Sequence, residues 1–549
     1  MLTVRQALKP DSMSEPYYIT TAIAYPNGKP HIGHAYEAIA ADAIARFYRM
    51  QGRDVRLVTG TDEHGLKMVQ TARAAGRDTL EFADEMSGHF KAMCEKLNIS
   101  YDAFVRTSEP RHHEASIALW KAMEASGDLY LDRYEGWYSV RDEAFYDEKE
   151  LIDGEGGVKL SPQGTPVEWT KEETWFFRLS KYQDQLLAHF RDNPGFLRPE
   201  SRANEVIRFV EGGLRDLSVS RTSFDWGVKV PGSPDHVMYV WVDALTTYMT
   251  GVGYPNQDGD FARFWPADLH LIGKDIVRFH AVYWPAFLMS AGLPLPKAIF
   301  GHGFLLARGE KMSKSLGNVV DPIELADKFG VDQLRYFLLR EVSFGQDGSY
   351  SAEAIVTRCN AELANSFGNL AQRVLSMIAK NLDGELPVLL TENCEFGLLD
   401  QVDQDLMRLV SDACDSLLPK HFEQLLFHDG IDDWLHAIFR CNQYVDEQAP
   451  WALRKADFDR MKIVLGTLFC CIRDLAIAIT PIIPDSANAL LTQLGIPNPD
   501  KNTSEYNLCR GYEAFNVVGW YHDLQTSNFR LAPPTPLFPR LEMPEGVVE

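Results

Sequence analysis

At 549 residues, with 45% hydrophobic and 24% charged side chains, the chain is too long for one core and has the composition of a soluble, multidomain globular protein. A formal charge of −23 argues against non-specific nucleic-acid binding, while leaving room for a local basic surface. Eight cysteines show no disulfide-framework spacing, and the longest apolar run, Ile463 to Ile472, stops at Arg473 and Asp474. A reduced, cytoplasmic protein without a membrane span is expected.

Residues 1–13 carry Arg5, Lys9 and Asp11 but no apolar stretch, so they read as an N-terminal extension rather than a secretory signal. Tyr17 to Tyr25 is a β-rich run closed by Pro26-Asn27-Gly28. A helix opens at about His31, with apolar residues at Ile32, Tyr36, Ile39, Ala43 and Phe47. Val55 to Thr59 is a second strand, followed by the polar turn Thr61-Asp62-Glu63-His64-Gly65. This is a βαβ rhythm, and it marks residues 14–118 as the first half of an α/β domain.

From 119 to 226 the rhythm lapses into an aromatic, Gly-rich and charged stretch, read as an insertion. The α/β pattern resumes at Met238 to Trp241 and continues through Leu269 to Gly273 and Ala298 to Phe300, giving a second half over 227–320. A linking segment (321–351) leads into a helical domain (352–520). There Val402, Leu406, Leu409, Ala413 and Leu417 mark one amphipathic helix, and Met461 to Ile479 marks another, ended by Pro481. Residues 521–549, with Ala532-Pro533-Pro534-Thr535-Pro536, form an extended strap.

Two motifs carry the chemistry. His31-Ile32-Gly33-His34 sits on a strand-to-helix turn, where free N–H groups and the helix dipole favour an anion. Gly33 lets a flat ring or a phosphate approach the backbone. Taken alone, the pair of histidines could equally be partly buried and hydrogen-bonded; a zinc pair lacks a third ligand nearby. Lys311-Met312-Ser313-Lys314-Ser315 lies in a Gly-bounded segment, and flexible ammonium groups suit charge developing on a leaving pyrophosphate. The two together point to a site for the triphosphate of ATP.

The block Tyr25-Pro26-Asn27-Gly28-Lys29-Pro30-His31-Ile32-Gly33-His34, followed by Lys311 to Ser315, resembles the class I aminoacyl-tRNA synthetases. The wider sequence resembles the methionyl-tRNA synthetases, through Thr59 to Gly65, Tyr239 to Ala244, Ile272 to Ile276 with His280, and Asp446 to Trp451. The resemblance spans about residues 14–540. It implies a Rossmann-like parallel-sheet catalytic domain with a mixed insertion, followed by an α-helical bundle that binds the anticodon.

The resemblance also implies residue roles. His31, Gly33, His34, Gly273, Lys274, Asp275, Lys311, Ser313, Lys314 and Ser315 hold ATP, which is used with Mg2+, with His31, His34, Lys311 and Lys314 acting on the phosphates. Ile23, Tyr25, Trp241, Ala244, Tyr248, Ile276 and His280 form an apolar, aromatic slot suited to a thioether, and Asp62 holds the α-ammonium of L-methionine. By spacing alone, Trp241 and Tyr248 could instead be a core stripe. Leu245 stands where several family members carry proline. Leucine, isoleucine and valine enzymes carry a much larger insertion at this place, and a cysteine enzyme needs zinc ligands that are absent.

Many methionyl enzymes hold zinc on cysteines in the insertion. Here those positions read Ser139, Arg141 or Asp142, and no cysteine occurs from 95 to 358, so a metal-free insertion packed by Trp137, Tyr138, Tyr146 and Trp175 is expected. Asn369 and Arg373 share a helix face and match anticodon-reading positions; Trp451 is either a stacking platform or a core residue. The expected activity is ligation of methionine to its initiator and elongator tRNAs by a monomer of bacterial type. A small-molecule nucleotidylyltransferase has no use for the helix bundle, and a non-catalytic tRNA-binding paralogue has no use for two intact motifs.

Overall fold

A computed structural model describes residues 15–139, 144–154, 157–307, 310–311, 319–386, 399–496 and 530–543. The extension 1–13, Arg141, Asp142, Ser313, Lys314 and Ser315 lie outside the described residues.

Six parallel strands form the central sheet, in the order Ala103–Arg106, Asp54–Thr61, Pro16–Thr21, Leu269–Gly273, Ile299–His302, Leu197–Arg198. The strand residues alternate between two cores, as a sheet covered on both faces requires. Tyr17, Ile19, Leu57, Leu269 and Leu271 enter one; Tyr18, Val58 and Ile272 enter the other. The chain builds outward from Pro16–Thr21 on one side, then returns to build on the other. The strand order therefore reverses between Thr21 and Gly273, which is where an open α/β sheet leaves a crevice.

Three details differ from the sequence reading. The first strand stops at Thr21, although Ala22 N–H still donates to Leu271 O and Ala24 N–H to Gly60 O, both at 3.0 Å, and Ala24 makes an isolated bridge to Thr61. Met238 ends a strand (Ser233–Met238) of a separate three-stranded antiparallel sheet, and Val240 already begins a helix, Val240–Thr250. The insertion is also tied into the catalytic sheet, because Leu197–Arg198 adds its edge strand. Two residues of strand are too short to leave a periodic signal. The insertion itself is dominated by a long antiparallel ribbon, Leu129–Ser139 against Glu168–Phe177.

The helical half packs Asn369–Asn381, Gln401–Asp412, Phe427–Gln448 and Phe458–Ile479 around a core continuous with that of helix Ile32–Met50. Leu417 is exposed, against expectation. A π-turn over Ala413–Leu417 inserts an extra residue, rotating the face so that Leu418 points inward instead. Residues 530–543 lie along this domain: Leu531 N–H donates to Gly384 O, Gln372 Nε2 donates to Pro534 O, and Phe538 is buried. Arg335, fully buried, joins the halves by binding Asp42 at 2.6 Å and the carbonyls of Pro481 and Ile482.

Candidate active site

A cavity of about 480 Å3 opens at the reversal point, between the ends of Pro16–Thr21 and Leu269–Gly273. His31, Gly33 and His34 line it from the helix side. His31 is the N-cap of helix Ile32–Met50: its Nδ1 accepts from Gly33 N–H at 3.1 Å, and its own N–H donates to His34 Nδ1 at 3.1 Å. The two rings lie 3.8 Å apart. With both Nδ1 lone pairs engaged, the neutral rings carry their protons on Nε2. Each then offers an N–H donor, suited to a phosphate oxygen. Gly33 has a further steric reason: a Cβ there would come within 2.9 Å of the His31 ring, so glycine also admits the histidine itself.

The described residues on either side of 312–318 lie close to this part of the cavity. Glu310–Lys311 pairs with Leu305–Ala307, whose Leu305 lines the cavity. Ile32 N–H donates to the carbonyl of Val320, at the far end of the segment, at 3.0 Å. Val320, beyond the lysine motif, thus meets the N-terminus of the helix that carries the histidines. Gly273 and Asp275 also line the cavity; Lys274 does not, and its ammonium binds Asp347 at 2.7 Å.

On the other side lies the apolar slot. Ile23, Tyr25, Asp62, Trp241 and Ile276 line the cavity. Asp62 N–H donates to Ala24 O at 2.8 Å, which fixes this acid next to Ile23 and Tyr25. Ala244, Tyr248 and His280 are not on the surface of the cavity; they are buried behind it. Tyr248 OH donates to His280 Nε2 at 2.6 Å, and His280 Nδ1–H donates to Ile276 O at 2.9 Å. Burial pushes the His280 imidazole down to about 4, so it is neutral at physiological pH. Trp241 and Tyr248 therefore divide between the expected roles, one as wall and the other as backing.

The sequence reading missed Phe279, which stacks on Trp241 at 3.9 Å with the rings nearly parallel, and lines the slot. It lies between two expected positions, Ile276 and His280, at the start of a π-turn (Phe279–Tyr283). Glu37 and His302 were missed too. They line the cavity and meet at 2.8 Å, with His302 Nδ1–H donating to Gly303 O. Burial opposes the charge on His302, but the Glu37 carboxylate outweighs it and holds the imidazole above its ordinary range. The signal lay in Gly301-His302-Gly303, a histidine between glycines at the end of a sheet strand.

Asn369 is exposed at the start of helix Asn369–Asn381, and Arg373 one turn on binds Asp446 at 2.9 Å. The Arg373 guanidinium lies 5.9 Å from the ring of Trp451, which is 51% exposed and so is not a core residue.

In the insertion, Ser139 Oγ and Ser161 Oγ both share hydrogen bonds with Thr165 Oγ1, at 2.7 and 2.8 Å, in a buried hydroxyl cluster. Hydroxyls committed to one another do not make a zinc site. Among the described residues, no group of His, Cys, Asp and Glu side chains could hold a metal ion. Tyr146 and Val167 form the small core of this lobe with Trp137 and Leu151, whereas Trp175 packs elsewhere, edge-on to Trp120.

Known proteins are similar to this chain in sequence and fold. Residues 17–375 match the model for tRNA synthetases class I (M), and 406–512 match the anticodon binding domain of methionyl tRNA ligase. The chain belongs to the methionyl-tRNA synthetase family. It is 55% identical to the methionine–tRNA ligase of Mycobacterium bovis, over 97% of this chain and 99% of the relative. It is 54% identical to that of Rhizobium meliloti, with the same shares covered. The structure of the Mycobacterium tuberculosis methionyl-tRNA synthetase in complex with methionyl-adenylate is similar at a TM-score of 0.88 and 54% identity, over 96% of this chain and 100% of that one.

Proposed function

We infer that the chain is a methionine–tRNA ligase working in two steps. The carboxylate of L-methionine attacks the α-phosphate of Mg-ATP, giving methionyl-adenylate and pyrophosphate. A hydroxyl of the 3′-terminal adenosine of tRNA then attacks the acyl carbon and releases AMP. Neither step needs a protein nucleophile, so positioning and charge stabilisation supply the catalysis. The observation that supports the reading is the cavity at the sheet's reversal point, lined by His31, Gly33 and His34 on one side and by Ile23, Tyr25, Asp62, Trp241 and Ile276 on the other.

The division of labour follows the cavity. His31 and His34 donate to phosphate oxygens; Lys311 and Lys314 clamp the departing pyrophosphate. Asp62 holds the α-ammonium, and the methionine side chain lies against Ile23, Tyr25, Trp241, Ile276 and Phe279. A thioether gains from such aromatic surroundings. Tyr248, Ala244 and His280 hold that wall from behind. Asn369, Arg373 and Trp451 read the anticodon of initiator and elongator tRNAs, and a monomer in the cytoplasm suffices. The insertion works without zinc.

The test is methionine-dependent exchange of labelled pyrophosphate into ATP, run beside a Lys311→Ala, Lys314→Ala double variant. Exchange that requires methionine and falls at least about a hundredfold in the variant supports the reading, since a single transition-state contact of this kind is worth roughly 3 kcal/mol. Exchange absent with methionine but present with another amino acid would discard the slot assignment.

A further inference from the structure

Gln163 is, among the described residues, the one cavity-lining side chain that comes from outside the α/β core. It is exposed, on a tight turn of the insertion between Ser161 and Thr165. The turn is built to hold its place. Gln163 N–H donates to Ser161 Oγ at 3.2 Å, Ser161 N–H donates to Thr165 O at 2.7 Å, and Gly164 supplies the positive φ of +76° that the reversal needs. Below it lie the buried hydroxyls of Ser139, Ser161 and Thr165. The lobe is fastened to the slot wall through Glu150, 3.6 Å from Arg278 on the segment between Ile276 and Phe279.

We propose that Gln163 contacts the 3′-terminal adenosine of tRNA in the transfer step. This rests on the ligase reading above. By the time tRNA arrives, methionyl-adenylate would occupy the interior, whose lining apart from Gln163 comes from the α/β core. What remains for a residue on the solvent side of the cavity is the group that enters last. A carboxamide is neutral and carries both donor and acceptor, matching the N6 amino group and N7 of adenine. Unstacked RNA ends are commonly read in this way. The hydroxyl cluster gives the turn the rigidity that such a contact requires.

The experiment compares two rates in the full-length protein and in Gln163→Ala and Gln163→Glu: tRNA-independent pyrophosphate exchange, and single-turnover transfer from preformed methionyl-adenylate to tRNA. The ratio of transfer to exchange should fall about five- to tenfold in Gln163→Ala, as for the loss of one or two net hydrogen bonds. Gln163→Glu should fall at least as far, because it keeps the size but loses the donor. A ratio unchanged in both variants overturns the proposal, whether the rates fall together or not at all. Parental protein that exchanges with methionine while the ratio stays fixed sinks only the role of Gln163; no exchange in the parent sinks the ligase reading with it.

Discussion

Asp243 and His64 meet at 2.6 Å through Oδ2 and Nδ1, both buried. The second carboxylate oxygen of Asp243 takes His112 Nε2 at 2.6 Å. His64 lies two residues after Asp62, and Asp243 two residues after Trp241. One carboxylate therefore ties together two walls of the slot that are far apart in the chain. Burial alone would raise the Asp243 carboxyl; the charges and hydrogen bonds of the two histidines hold it well below the usual carboxylate range.

We expect Asp243→Asn to raise KM for methionine about tenfold while KM for ATP changes less, and to destabilise the protein by about 3 kcal/mol, because it breaks a buried charged pair. Steady-state kinetics with each substrate in turn decides this. Equal rises in both constants would reduce Asp243 to a general structural role.

His280 makes stability depend on pH. Below its ordinary value of about 6.5 the unfolded chain takes up a proton there, while the folded chain does not until about 4. Stability from this group is thus complete above about 6.5 and is lost as pH falls toward 4, by roughly 3 kcal/mol at the bottom of the window. His270 and His113 are also shifted down, so the informative quantity is a difference. The urea midpoint of His280→Gln should fall less steeply than that of the parent between pH 7 and 4.

Trp451 presents a half-exposed ring beside Arg373, and one stacked base is worth roughly 1–3 kcal/mol. Trp451→Ala should raise KM for tRNA about ten- to a hundredfold, with tRNA-independent exchange reporting on the integrity of the catalytic half. A tRNA KM unaltered by the substitution would remove Trp451 from the anticodon site.

Metal analysis should find zinc far below one per chain, and chelators should leave aminoacylation intact. Thr165→Val removes the hydroxyl that Ser139 and Ser161 share, and should weaken this lobe by about 1–3 kcal/mol. Limited proteolysis would register that loss as faster cutting within 144–177. Stoichiometric zinc in the purified protein would overturn the metal-free reading.

The covalent order of residues determined a good deal by itself. The strand, helix and strand around His31 were legible because alternation and 3.6-residue spacing are local, and the histidine and lysine motifs because charge and glycine placement are local too. Other features were settled only by folding. Nothing in the sequence says that Leu197–Arg198 joins the parallel sheet, that His31 occupies the space a Gly33 side chain would need, or that Leu417 rotates outward at a π-turn.

The site divides in the same way. Residue chemistry nominated Trp241, Tyr248 and His280 alike, but only packing put Trp241 on the cavity surface, Tyr248 and His280 behind it, and Phe279 against Trp241. Asp243 bridging His64 and His112, and Gln163 reaching the cavity from the insertion, depend on contacts between segments far apart in sequence. A periodicity or a motif records what a residue does with its near neighbours. Which distant partners share a buried volume is decided when the whole chain excludes water and each polar group taken inside must find a bond.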